Sequence, residues 1–369
     1  MIKTLASMIR LIHILLLLPV LLSACDRKRN AEYLPRATGN PGDIIVIIDT
    51  AQWRGPLGNK LREVLQAEVQ GLPREETYFN LIPAHPSAKI ELLTQIRNLL
   101  YVFTLDENTP GSRAIARNFT PESLETIRSD TSFYNTTERD VYSRGQVVMY
   151  LFGENEQELI QHLTEHAGSI VGFFNNVERE RLEQTILNTR ATSELTEFLQ
   201  KDYNFSLRFP FGYQVADQQK DFVWFRKIET QIDKNIFIGM KPYESEYQML
   251  PDSLIAWRDR IAREYLFGDP ANPVSYLLTE QEVPFIPVRA RQTQVNGQYA
   301  MEIRGLWRTN NKSMGGPFVG VSLVDQESGM LYYIEGFAYS PSKAQRETMR
   351  ELEAIIHTFR PETMSTNNP

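Results

Sequence analysis

The residues with the clearest capacity for chemistry are His162, Glu165 and His166, in the run His162-Leu163-Thr164-Glu165-His166. Histidines four apart on a helix share a face. Both imidazoles could therefore ligate one zinc ion while the glutamate takes a proton from an attacking water, as in a zinc-dependent hydrolase. The flanking pattern weighs against catalysis. Leu159, Leu163, Ala167, Ile170 and Phe174 mark a buried face, His162 and His166 border that stripe, and Glu165 falls opposite Leu163 with Glu158 and Gln161. Border histidines need no metal to explain them, and no third ligand stands out among Glu178, Glu180 and Glu183. His162 and His166 are kept as candidate metal ligands, with a metal-free helix border preferred.

Other catalytic sets are weaker still. His85 and His357 are isolated, and no G-x-S-x-G elbow places a nucleophilic serine. Asp106-Glu107 and Glu178/Glu180 read as solvated carboxylates in an acidic chain. Gly55, Pro56 and Gly58 form a strand-to-helix turn without the Gly-Lys-Ser/Thr of a phosphate loop, so a structural turn is preferred to an anion site. Phe222, Trp224, Phe225 and Trp307 read as core rather than as a ligand groove. No catalytic residue and no cofactor is assigned.

The firmest single assignment is Cys25. Lys3 and Arg10 supply a cationic start, Leu11 to Leu22 an aliphatic run, and Leu22-Ser23-Ala24-Cys25 the lipobox at which a lipoprotein signal is cleaved. Pro19 and Arg10 leave that run short of the roughly 20 residues a retained span needs. Cys25 is the single cysteine, so no disulfide competes for it. Two or three acyl chains there would anchor the protein stably to an inner or outer membrane of the cell envelope. Arg27-Lys28-Arg29 follow, and the sole acidic residue beside the cysteine, Asp26, favours a periplasmic rather than a surface position. The chain has 46 acidic and 39 basic residues and a net charge of -7; losing Lys3 and Arg10 takes it to -9. Such a surface repels phosphate backbones and argues against a nucleic-acid partner.

The elements that must position these residues read as an α+β chain of two sandwich-like halves. After a signal (residues 1–24) and tether (25–42), a domain over 43–190 is expected to hold a mixed sheet with helices. Its strands are Ile44–Ile48, Tyr78–Ile82, Leu99–Leu105 and Val147–Phe152. Helices are expected from Leu57, near Ala88–Arg97, and as a pair over Glu154–Asn188. The polar stretch Asp106–Arg144 reads as a mobile insertion with one short helix near Pro121–Ile127.

A second domain over 191–361 is expected to be a mainly antiparallel sheet covered by helices, and 362–369 a disordered tail. Its strands are Phe205–Phe209, Phe222–Ile228, Ile236–Met240, Phe285–Val295, Tyr299–Arg308, Phe318–Val324 and Met330–Phe337. Asn296-Gly297 is a hairpin signal. Alternation of Tyr299, Met301, Ile303 and Trp307 with Glu302, Arg304 and Arg308 predicts one covered and one wetter face. Leu254, Trp257, Ile261 and Tyr265 place one helix on the sheet. Met349, Leu352, Ile356 and Phe359 place the last, starting at Ser340-Pro341.

The lipobox, Trp53-Arg54-Gly55-Pro56-Leu57-Gly58, Phe205-Ser206-Leu207-Arg208-Phe209-Pro210 and Phe222-Val223-Trp224-Phe225-Arg226 together resemble an uncharacterised lipoprotein family of Bacteroidota, a domain of unknown function. The resemblance implies an envelope location and names no chemistry. Asp49-Thr50-Ala51 and Asp252-Ser253-Leu254 resemble short O-glycosylation sites of exported proteins in that phylum. More loosely, the part after Ser193 is similar to PsbP-type α/β sandwiches, which resemble adaptor modules. The function expected is a non-catalytic binding or assembly module, with an unidentified envelope protein or small ligand as partner.

Overall fold

The computed structural model describes residues 34–87, 93–187, 193–266, 268–282 and 286–362. Cys25, the signal, the boundary at Thr189 and nearly all of the expected tail lie outside them. Two sheets organise the chain, as expected for an α+β protein.

The first is five-stranded, in the order β2 (Asn80–Ala84), β1 (Asp43–Ile47), β3 (Asn98–Thr104), β5 (Val147–Gly153), β4 (Asn135–Arg139). All neighbours are parallel except β4, which runs antiparallel to β5. β3 and β5 are buried at every residue, because helices cover both faces. On one face pack α2 (Pro56–Leu65), α5 (Glu156–Glu165) and α6 (Ala167–Leu187), through Leu57, Leu61, Leu163 and Phe174. Each such side chain contributes about 1.5–3 kcal/mol on leaving water. The short α1 (Thr50–Arg54) leads into α2, and a Cβ on Gly58 would lie 1.9 Å from the Trp53 carbonyl oxygen, so only glycine fits this turn.

The other face is covered by the stretch read as a mobile insertion, and here the expectation fails. Asp106–Arg144 contains α3 (Pro110–Ala116), α4 (Pro121–Ser129) and β4, and seats Ile115 and Ile127 in a core with Phe103 and Phe152. The overlooked signal was Thr-Pro, twice. Thr109 and Thr120 accept from the backbone N–H groups of Ser112 and Ser123, and each is followed by proline in the first turn. The first half of the helix expected near Ala88–Arg97 lies outside the described residues, and of its second half, Leu93–Arg97, only Leu93 is helical.

The second sheet is eight-stranded and antiparallel. Its order is β10 (Leu277–Thr279), β12 (Gln298–Thr309), β13 (Gly315–Asp325), β14 (Met330–Tyr339), β9 (Asp233–Pro242), β8 (Phe222–Ile228), β7 (Gln214–Gln219), with β11 (Arg289–Val295) also on β12. Asn296 and Gly297 turn β11 into β12 with φ of 50° and 79°. One face carries α8 (Pro251–Tyr265) and the other α9 (Arg346–His357) with α7 (Ser193–Tyr203). Phe222, Trp224, Phe225 and Trp307 are all core. Of the expected strand Phe205–Phe209, only β6 (Phe205–Ser206) pairs, with β15 (Arg360–Pro361). Beyond it the Arg208 N–H donates to Thr358 Oγ1 instead of to a strand.

Two further expectations are corrected. The last helix starts at Arg346, not at Ser340-Pro341, because the cap comes from the first half: Glu76 accepts from the N–H groups of Gln345 and Arg346 at 2.6 and 2.9 Å. On β12 the expected wetter face is covered, whereas Tyr299, expected on the covered face, is exposed. Ala300 is in the core under α9, and Glu302 is buried beside it. The halves are in contact: Arg346 and Arg350 donate to the carbonyls of Thr77 and Tyr78, and Leu72 and Ile186 enter the core under α9. Among the described residues no helix is long and apolar enough to cross a membrane.

Candidate functional site

Two places gather polar side chains: the elbow between α5 and α6, and a cleft between the halves. At the elbow, α5 ends at Glu165 and His166 is its C-terminal cap (φ -110°, ψ 16°). One ring nitrogen of each histidine and one Glu165 oxygen lie within 4.8 Å of one another. Glu165 stands opposite Leu163 as expected, yet it is three residues from His162 and so its neighbour on the helix surface. Tyr134, just before β4, stacks on both imidazoles with ring centres 4.8 and 4.5 Å away. Glu165 accepts from Gln161 at 2.8 Å, and Glu158 stands 3.8 Å from His162 Nε2.

The three glutamates considered as a further ligand are engaged elsewhere. Glu178 is buried between Arg97 and Arg181, Glu180 pairs with Arg139, and Glu183 with Arg179. His85 bonds Ser87 through Nδ1, and His357 meets Arg179 at 3.2 Å. Burial, and then the Arg179 charge, lower the His357 pKa to about 4. The ring is thus neutral at pH 7, and Nε2 accepts from Arg179. The α2 start at Gly55–Gly58 already holds an anion of its own, since the Leu57 N–H donates to Glu156 at 3.2 Å.

The cleft has a volume of about 700 Å³ and is walled by α2 and α6 from the first half and by β11, β12 and α9 from the second. Six arginines (179, 289, 291, 304, 346 and 350) and three glutamates (63, 302 and 353) face it. In a chain with more acidic than basic residues this is a local inversion of charge. At its centre Glu302 receives Arg291 at 2.7 Å and Arg304 at 2.6 Å, and Arg304 also reaches Glu353 at 2.6 Å. Burial pushes the Glu302 carboxyl up, but the Arg304 and Arg291 charges and hydrogen bonds outweigh it and hold it well below the usual carboxylate range. Glu302 is thus held as the carboxylate between its two arginines. Arg291, 65% exposed, keeps donors free beyond this pairing, and the Arg289 side chain has no hydrogen-bond or ion-pair partner among the described residues. Val64, Val171, Met349 and Tyr78 add carbon surface, and Gly168 and Gly172 leave bare helix backbone along one wall.

None of these arginines was read as a site residue in the sequence. The signal present was Glu302 and Arg304 alternating with apolar neighbours on β12, taken as a solvated face.

Residues 192–358 match a family model described as a domain of unknown function, DUF4837, and residues 37–187 match another, DUF8532. No curated protein matches the chain. Among solved structures, the Saccharomyces cerevisiae Ran-binding protein Mog1p is 8% identical, with a TM-score of 0.27 over 44% of this chain and 92% of that one. Human StAR-related lipid transfer protein 5 is 6% identical, with a TM-score of 0.22 over 49% and 93%.

Proposed function

We propose that this is a non-catalytic binding module, held at a cell-envelope membrane through acylated Cys25 and facing the periplasm, that takes an anionic small molecule between its halves. The observation that carries the binding reading is the arginine-lined cleft. It has the volume of a small-molecule site, mixes carbon surface with forked donors, and its ion pairs are set before any ligand arrives. The anchor rests on the lipobox Leu22–Cys25 and the resemblance to Bacteroidota lipoproteins.

Isothermal titration of the full chain with inorganic phosphate and with octanoate separates the two common anionic groups. Saturable binding of either, weakened at least tenfold in Arg289→Gln/Arg291→Gln, is expected. No binding of either below about 1 mM sinks the reading. For the anchor, Cys25→Ser should leave the detergent phase for the aqueous one, and unchanged partition overturns it.

The alternative, a zinc-dependent hydrolase using His162, Glu165 and His166, draws on the closeness of those three donors. It requires Glu165 free as a base, whereas Glu165 lies close enough to serve as a ligand and already accepts from Gln161. The arrangement favours holding an ion over turning over a substrate.

A further inference from the structure

We propose that His162, His166 and Glu165 form a binding site for a divalent transition-metal ion of the zinc class, built into the elbow between α5 and α6 and serving as a structural clip. This does not depend on the cleft.

Ring geometry supplies the first reason. The two imidazole planes are within 19° of parallel and their centres are 6.0 Å apart, while Tyr134 lies nearly parallel to each. Rings on opposite faces of the phenol would stand about 7 Å or more apart, twice the ~3.5 Å van der Waals spacing. Both imidazoles therefore lie on one face of Tyr134, side by side, with their edges rather than their faces toward each other. Nitrogens lie on ring edges. Two imidazoles bound to one ion at about 2.0–2.1 Å bring their centres to about 5–6 Å. The ring centres need little closure, and Tyr134 holds both rings edge to edge, an arrangement compatible with chelation of one ion.

Hydrogen bonding supplies the second. His162 Nδ1 is buried without a partner, and Nε2 faces Glu158 at 3.8 Å, too far for a hydrogen bond. A buried ring nitrogen left unmatched is costly, and an ordered water or a metal ion satisfies it; the second imidazole and the carboxylate beside it favour the ion. The other two described histidines are committed, His85 to Ser87 and His357 to Arg179. Glu158 is placed to orient the ring once an ion is bound, as carboxylates behind ligating histidines do. Two nitrogens and a carboxylate suit zinc, nickel or copper(II), with water completing the shell.

The test uses full-length protein in detergent, stripped with chelator and titrated with zinc chloride in a non-coordinating buffer by calorimetry. One ion per chain with Kd below about 10 μM is expected, with melting raised by a few degrees at saturation. His162→Asn and His166→Asn should each weaken binding at least tenfold, Glu165→Gln less, and His85→Asn not at all. His166 sits half-buried at the helix end, so its variant keeps the test usable if His162→Asn misfolds. Absence of saturable binding below about 100 μM, or equal binding by the His162→Asn/His166→Asn pair, overturns the site.

Discussion

The two faces of the eight-stranded sheet each carry a buried ionic cluster, and the two clusters differ in whether water can reach them. Under α8, Arg258 and Glu335 are 1% and 0% exposed, joined at 2.9 Å, with the Tyr333 hydroxyl donating to Glu335 at 2.7 Å and the Phe318 ring 4.7 Å from the guanidinium. Gly320 makes room for Tyr333, since a Cβ there would lie 2.2 Å from its hydroxyl oxygen. Under α9, Glu302 and Arg304 are 4% and 20% exposed, but Arg291 at the cleft mouth is 65% exposed. The sealed cluster has every strong partner inside the chain and nothing left to offer a ligand. The open one is anchored at its buried end and free at the other. Similar residue types thus serve the fold in one place and recognition in the other, and access to solvent separates the roles.

Breaking the sealed pair should have the largest effect. Arg258→Met or Glu335→Leu alone leaves a charge buried without its partner and is expected to cost about 3–5 kcal/mol. The double variant Arg258→Met/Glu335→Leu should recover most of that loss, because two apolar side chains need no mutual compensation. Urea unfolding of the three variants measures it. If the double is as unstable as the singles, the pair is not a closed structural unit.

The open cluster should show itself in pH dependence. His357 has a folded pKa of about 4 against the ordinary imidazole value of 6.5, so the unfolded chain takes up its proton first as pH falls. The histidine's contribution should therefore fall between about pH 6.5 and 4 and level off below, by an amount on the order of 3 kcal/mol. Glu302, with its folded pKa lowered, contributes stability above the ordinary carboxylate range that is lost only as pH falls through and below it. The interval from pH 6.5 to 5 thus separates the histidine from Glu302, while Glu183, whose carboxyl is pushed up by burial beside Arg179, acts in the opposite sense at its lower end. His357→Asn should flatten the stability profile there, and an unchanged slope in equilibrium unfolding contradicts the assignment.

How legible this was in sequence depended on whether local pattern and tertiary cover agreed. The run Ile44–Ile48 and the stripe Leu57, Leu61, Val64, Leu65 showed their burial directly, because a strand covered on both faces and an amphipathic helix each impose a period on the chain. Glu302 and Arg304 misled for the opposite reason. Charge on alternate strand positions normally means water, and only the contact of α9 with the first half turns that face into a covered network. Likewise Glu76 caps a helix some 270 residues away, at Gln345 and Arg346, a partnership no local window contains. The elbow was half legible. The spacing of His162 and His166 was visible, but Tyr134, which fixes their rings, comes from the sheet edge.

The finest test concerns the wall of the cleft. Gly168 and Gly172 lie one turn apart in α6, and a Cβ on either would meet nothing within 4 Å. Glycine in a helix interior, as at Gly172, is worse than alanine by about 0.5–1 kcal/mol, and less so in the first turn, where Gly168 lies; here no internal packing requires either. Gly168→Ala and Gly172→Ala should each stabilise the protein by up to that amount. If the cleft takes its ligand against bare α6 backbone, the same substitutions should weaken whichever probe anion binds, because each methyl group projects into the space the ligand occupies. Stability and affinity then move in opposite directions. A gain in stability with unchanged affinity would move the ligand away from α6 and toward Arg289 and Arg291 alone, whereas a loss of stability would mean that the glycines serve the helix itself. Thermal melts and calorimetry on the same two variants distinguish these outcomes.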